Sequence, residues 1–162
     1  MKRNNTILLI IIILISFLLS ACNFNTKTVK YSSKDLDEIK QTTKMGLQEA
    51  FNFSYETTTG DEGAENYTER ILKEVHQTKE DIPKVIEFRK SIKLVENISI
   101  KKVYGIEIID ENNAIAKADY TEKTISTMKD GYNHNDTGYF DVKLKRENGK
   151  WLIDDFQRYV NK

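Results

Sequence analysis

The chain is short of several things, and each shortage excludes something. It has one cysteine, Cys22, so no internal disulfide can form. It has one proline, Pro83, which excludes proline-rich linkers. Its 25 basic and 25 acidic residues cancel to a formal charge of +0, so no charge excess points to nucleic acid or to anionic lipid. The one long apolar run, Ile7 to Leu19, is thirteen residues interrupted by Ser16. A permanent membrane span needs roughly 20. No nucleophile elbow, phosphate loop, HExxH or CxxC is present. With two histidines, His76 and His134, and no second cysteine, no three-ligand metal site is evident. Neither a metal nor a cofactor is expected.

What is present begins at the N-terminus. Lys2 and Arg3 precede the apolar run, and Leu19-Ser20-Ala21-Cys22 closes it. A positive start, a short apolar stretch and small residues fit a secretory signal. An uncleaved anchor is the alternative. The tetrad Leu19, Ser20, Ala21 and Cys22 resembles the bacterial lipobox, in which a diacylglyceryl group joins the cysteine thiol and the chain is cut before it. That resemblance implies a signal peptide over 1–21, an anchor at Cys22 carrying palmitate-type acyl chains, and the extracytoplasmic face of the cell membrane as location. Two acyl chains on one residue hold far better than one, each buried CH2 adding about 0.8 kcal/mol. A lone thiol in an exported chain is thereby consumed.

Cleavage would leave residues 22–162, enough for one domain with its own core. Residues 22–33 are polar and aperiodic and read as a lipidated tether, about 40 Å at full extension. The globular domain is expected over 34–162.

Within it, helices come first. Ser33 is a suitable cap, and Leu36, Ile39, Thr43, Leu47, Ala50, Phe51 and Ser54 share a helical face. Asn66 to Thr78 repeats that spacing with Tyr67, Ile71, Leu72 and Val75. Ile82-Pro83 opens a short helix, since proline is tolerated in the first turn, with Val85, Ile86 and Phe88 to carry it.

From Asn97 the period changes to two. Ile98, Ile100, Lys102 and Tyr104 alternate with Ser99, Lys101 and Val103, and Gly105 marks a bend. After a turn at Asp110–Asn113, Ala114, Ala116, Ala118 and Tyr120 share one face, with Ile115, Lys117, Asp119 and Thr121 on the other. Lys129 to Gly138 reads as a polar hairpin loop. Phe140, Val142 and Leu144 alternate with Asp141, Lys143 and Lys145. Asn148-Gly149 signals a tight hairpin before a last strand, Trp151 to Tyr159. Helices followed by strands predict an α+β fold: N-terminal helices packed on a curved antiparallel sheet of about four strands, burying Trp151, Phe140 and Phe51 together.

The stretch VKLKRENGKWLIDDFQRY, Val142 to Tyr159, resembles the closing hairpin of NTF2-like domains, with its charged strand, Asn-Gly turn, Trp and Ile-Asp pair. The element order is also similar to the cystatin-like lipoproteins of Gram-positive bacteria. These resemblances imply a cone-shaped domain. The superfold hosts enzymes, ligand binders and assembly modules, so fold alone settles no chemistry. Related domains occur in conjugation machinery and as non-catalytic spacers, which implies an interaction role here.

In NTF2-like enzymes the cone interior carries an acid–base group, and Tyr104, Asp119 and Tyr120 are the corresponding candidates for a pocket. Cross-strand packing is the competing reading for the tyrosines, and Lys117 on the face of Asp119 suggests solvent there. His76 reads as a surface side chain. Asp154-Asp155 cannot act as a pair if neighbours on a strand point to opposite faces. The loop bearing Tyr132 and His134 is the candidate partner contact. The expectation is a membrane-anchored lipoprotein whose domain is non-catalytic and binds an envelope protein, the alternative being a small-ligand binder or an NTF2-like enzyme using a cone pocket.

Overall fold

The computed structural model describes residues 31–59, 62–77, 82–128 and 133–161. The lipobox, the apolar run, Cys22 and Tyr132 lie outside them. Among the described residues no helix is long and apolar enough to cross a membrane.

Helix α1 spans Ser33–Phe51. Its cap is Ser32, one residue before the expected position, because Asp35 stands three residues on and closes a capping box. The Asp35 N–H donates to Ser32 Oγ at 3.2 Å, and the Ser32 N–H donates to the Asp35 carboxylate at 3.3 Å. The helix buries Ile39, Thr42, Thr43, Gly46 and Leu47. At Gly46 a Cβ would stand 2.7 Å from Ile153 Cδ1, so the helix approaches the sheet where it has no side chain. Asn52, in extended conformation, ends it, and Ser54 falls in strand β1, Phe53–Ser54, rather than on the helix.

A 3-10 turn covers Ala64–Asn66, helix α2 covers Glu69–Gln77 and helix α3 covers Ile82–Ser91. Helix α2 starts three residues later than expected. Tyr67 is extended and bridges to Ile153, and the Thr68 N–H donates to the Ile153 carbonyl at 3.0 Å. In α3 two of the three residues expected to carry the apolar face are exposed, Val85 at 49% and Phe88 at 63%, while Ile86 is half-buried.

Four long strands follow: β2 Leu94–Ile108, β3 Asn113–Ser126, β4 Asn133–Glu147 and β5 Lys150–Val160. With β1 they form one antiparallel sheet in chain order, β1-β2-β3-β4-β5. The architecture is the α+β cone expected, with helices against a curled sheet. Asn148 and Gly149, with φ of 52° and 80°, make the tight turn between β4 and β5, and Glu147 opposes Lys150.

Helix α1 sits against the inner face and also satisfies strand edges. Asn52 Oδ1 accepts from the Ile98 N–H at 2.7 Å, Gln48 Oε1 from the Ile100 N–H at 3.2 Å, and Glu38 Oε1 from the Trp151 N–H at 2.9 Å. One helix thus ties β2 to β5 and holds the sheet in its curl. The core beneath it joins Ile39, Leu47, Ile98, Phe140, Trp151 and Ile153, with Phe51 packed on Phe140 at 5.2 Å between ring centroids. Trp151 is 1% exposed, its ring under the Arg146 guanidinium at 4.5 Å, and Arg146 pairs with Asp35.

Two irregularities in β2 change which side chains face inward. The register shifts between Ile100 and Lys102, so Val103 opposes Ala118 and Tyr104 opposes Lys117. A second shift includes Gly105, whose φ is +57°, the expected bend. Simple alternation, which would keep Tyr104 on the face of Ile98 and Ile100, is broken by the extra residue at Lys101.

Candidate functional site

The inner face changes character along its length. On β3 the inward residues run Ala114, Ala116, Ala118, Tyr120, and then Glu122 and Thr124, all buried. Glu96 is buried on the neighbouring β2, two residues before Ile98, which opposes Glu122. On β4, Asp136 opposes Glu122 and His134 opposes Thr124. Arg158 reaches the same place from β5 and Arg89 from α3. Five elements therefore bring three carboxyls, two guanidiniums and an imidazole to one end of the cone.

The contacts sort these charges. Arg158 pairs with Glu122, and its Nε donates to the Tyr120 hydroxyl at 2.9 Å. Its guanidinium lies 4.7 Å from the Tyr120 ring centroid and 5.7 Å from that of Phe51. Arg89 Nη1 stands 3.1 Å from Glu96 Oε2, and His134 Nε2 stands 2.8 Å from Asp136 Oδ2. Glu96 opposes Thr124 and Glu122 opposes Ile98, so the two carboxyls are neighbours on the inner face of β2 and β3. Burial, and then a hydrogen bond with Glu122, push the Glu96 carboxyl up to about 7, against the opposing pull of Arg89. Glu122 is held below its ordinary value: burial opposes this, but the bond from Glu96 and the Arg158 guanidinium outweigh it. Gly138 makes room for the arrangement, since a Cβ there would overlap the Tyr159 carbonyl and press on the Tyr120 ring at 2.8 Å.

Such a cluster can hold a proton between two carboxyls near neutral pH. Among the described residues no group of three His, Cys, Asp or Glu has the arrangement of a metal site.

The outer face is built differently. The Tyr104 hydroxyl donates to Asp119 Oδ1 at 2.9 Å. Lys117 pairs with Asp141 at 2.9 Å and Lys143 with Asp155 at 2.8 Å. Tyr139 and Tyr159 stack at 4.6 Å with 15° between planes, and Lys117 lies 5.3 Å over Tyr139. A groove of about 360 Å³ runs here, lined by Gly105, Ile115, Lys117, Asp141, Lys143 and Gln157 among others.

The candidate trio of the sequence is therefore divided. Tyr120 is inside the cone, in the charged cluster; Tyr104 and Asp119 bond to each other on the outer face. The hairpin loop is shorter than expected: His134, Asn135 and Asp136 are part of β4. His134 stands in the cluster rather than on a loop, and Tyr132 lies outside the described residues. Asp154 takes the extra-residue position in β5, accepting from Thr68 Oγ1 at 2.9 Å and from Arg70, while Asp155 pairs with Lys143. They serve separate partners. Glu96, Glu122, Asp136, Arg158 and Arg89 were missed. Their signal was the parity of Ala118 and Tyr120, which continued through Glu122 and Thr124 places ionisable residues on the buried face.

No family model matches the sequence, and no curated protein matches it. Among solved structures the chain is similar to an IcmL-like type IV secretion system protein from Legionella pneumophila, with a TM-score of 0.57 at 9% identity, over 79% of this chain and 94% of that one. It is also similar in part to an NTF2-like protein of unknown function from a Prochlorococcus, with a TM-score of 0.39 at 23% identity, over 48% of this chain and 59% of that one. The first likeness is one of fold.

Proposed function

We propose that the protein is a lipid-anchored, extracytoplasmic interaction domain that binds a protein of an envelope or secretion apparatus through the open face of its sheet. Cys22 carries the diacylglyceryl anchor, and the stretch from it to the Ser32 cap of α1 is the tether. The observation that carries the binding role is the outer surface of β3, β4 and β5. It combines the stacked Tyr139 and Tyr159, a groove, and exposed Lys117, Lys143 and Lys145, while the inner surface is filled by α1 and the core. An antiparallel sheet with one filled face leaves the other for solvent or a partner, and tyrosines are favoured in protein interfaces. The likeness in fold to a protein described as a type IV secretion system component supports this choice of apparatus.

The test is photo-crosslinking in intact cells from probes at Lys117 and Lys143, with probes at Glu65 and Lys73 as controls. Capture of one envelope protein from the sheet positions alone supports the reading. Equal capture from all four positions, or from none, removes it. The anchor is tested separately: Cys22→Ser should release the protein from the membrane fraction and abolish incorporation of labelled fatty acid.

A second reading, a small-ligand binder or an enzyme, is favoured by the buried Glu96–Glu122 pair beside Tyr120 and Arg158. A small molecule that shifts the amide resonances of Tyr120, Glu122 and Arg158 but not of Lys143 and Gln157 would put it in place of the first.

A further inference from the structure

Helix α3 is held in an unusual way. A helix in a small domain is ordinarily fixed by an apolar face, but Val85 and Phe88 stand in solvent here. Ile86 is half-buried, and a charged contact reaches the sheet from Arg89. Its guanidinium lies 5.3 Å over the Phe53 ring and 3.1 Å from Glu96 Oε2. Phe53 and Glu96 oppose each other across β1 and β2, so Arg89 rests on one cross-strand pair.

Glu96 has a competing partner. Glu96 lies two residues before Ile98, which opposes Glu122, so the two carboxyls share the buried face of adjacent strands, at 7% and 8% exposure. Two buried carboxylates in contact do not both ionise readily, so the pair retains a proton to higher pH than either would alone. That proton belongs on Glu96, because Glu122 is stabilised as an anion by Arg158 and by the Thr124 hydroxyl. Protonated, Glu96 donates to Glu122 and presents no charge to Arg89. Ionised, it is repelled by Glu122 and drawn to Arg89. Its value near 7 puts the exchange between these states close to neutrality.

We infer that the Glu96–Glu122 pair is a proton-operated latch for α3, closed when Glu96 is ionised and released when the pair takes up its proton. Release uncovers Phe53 beside the already exposed Val85 and Phe88, giving an apolar surface that forms on acidification. Other charged groups lie around the pair. Asp136 opposes Glu122 on β4 and is paired with His134, and Arg158 comes from β5. Glu87 and Lys90 of α3 are exposed. The neighbouring Asn52, Phe53 and Ser54 do not titrate. His134 stands opposite Thr124, so its contribution must be separated from that of Glu96.

Amide hydrogen exchange of the full-length protein, corrected for the intrinsic pH dependence of exchange, tests this. Protection of residues 83–91 should be about fivefold lower at pH 5.5 than at pH 8.5, as for the loss of one half-exposed ion pair, with β3 and β4 unchanged. Arg89→Gln should give the low protection at both pH values. Glu122→Gln should move the transition to lower pH, and His134→Gln should leave it in place. Protection of 83–91 that is the same at both pH values, or that Arg89→Gln does not lower, overturns the latch. So does a transition that disappears with His134→Gln. If Glu122→Gln fails to fold, Arg89→Gln, at a half-exposed position, still decides.

Discussion

The two ends of the inner face follow one geometric rule and use opposite chemistry. At the Asn148-Gly149 end the inward residues are Ala114, Val142, Leu144, Trp151 and Ile153, and the one cation, Arg146, lies over Trp151 and pairs with Asp35. At the other end the same alternation delivers Glu96, Glu122, Asp136 and His134, with Glu96 paired to Arg89, Glu122 to Arg158 and Asp136 to His134. The apolar end gains stability by removing surface from water. The charged end must compensate every group it desolvates, and a buried ion pair is weak evidence for stability but costly to break. The first end holds the fold, and the second is where a change of conditions can act.

The contrast makes ordered predictions. Trp151→Ala should be the most damaging change, lowering unfolding stability by about 3–5 kcal/mol in denaturant titration, as large aromatic deletions do. A loss below about 1 kcal/mol would show that the hairpin end is not the anchor of the core. Gly138→Ala tests the junction of the two ends. The added methyl meets backbone at Tyr159 as well as the Tyr120 ring, so about 3 kcal/mol should be lost, with the Tyr120 ring environment altered in NMR spectra. Arg158→Met leaves Glu122 buried without its guanidinium and should cost about 2 kcal/mol at pH 7. That loss should shrink as acid protonates Glu122; an equal loss at all pH values would mark Arg158 as packing alone.

The pH profile of stability sharpens the contrast further. Glu96 has a raised value in the folded state, so the native protein binds its proton more tightly than the unfolded chain does. Its contribution is present below about 4.5, the ordinary carboxylate value, and is lost as pH rises from there to about 7. Glu122, Asp35 and Asp154 are held low, so their contributions are lost as pH falls below their ordinary values. Melting temperature should therefore peak in mild acid and decline toward pH 7. Glu96→Gln should flatten the decline and leave the acid limb unchanged; a wild-type curve that rises between pH 5 and 7 would contradict the assignment. The smallest effect belongs to the outer face. Lys143→Ala removes an exposed ion pair to Asp155 and should leave the melting temperature nearly unchanged in thermal melts. A larger loss would make that face structural rather than free for a partner.

The legibility of the chain follows the same division. The hairpin end was plain because Phe140, Val142 and Leu144 alternate with Asp141, Lys143 and Lys145, and because Asn148-Gly149 supplies the two positive φ angles its turn requires. The start of β4 was hidden because Asn133 to Thr137 is polar on both faces, so nothing alternates. The exposed face of α3 was hidden because Val85 and Phe88 look like core when spacing is the only guide.

Local pattern determined the elements, their order and the α+β class, since hydrophobic period and turn chemistry act within a few residues of themselves. It also determined that Trp151 is buried, a large aromatic in a strand that alternates. Tertiary structure decided which side of the sheet each polar residue meets. An extra residue at Lys101 sends Tyr104 outward to Asp119, and unbroken alternation carries Glu122 inward to Arg158. The partners that settle those charges lie on other strands and on α3, tens of residues away, and only the folded chain brings them within hydrogen-bonding distance.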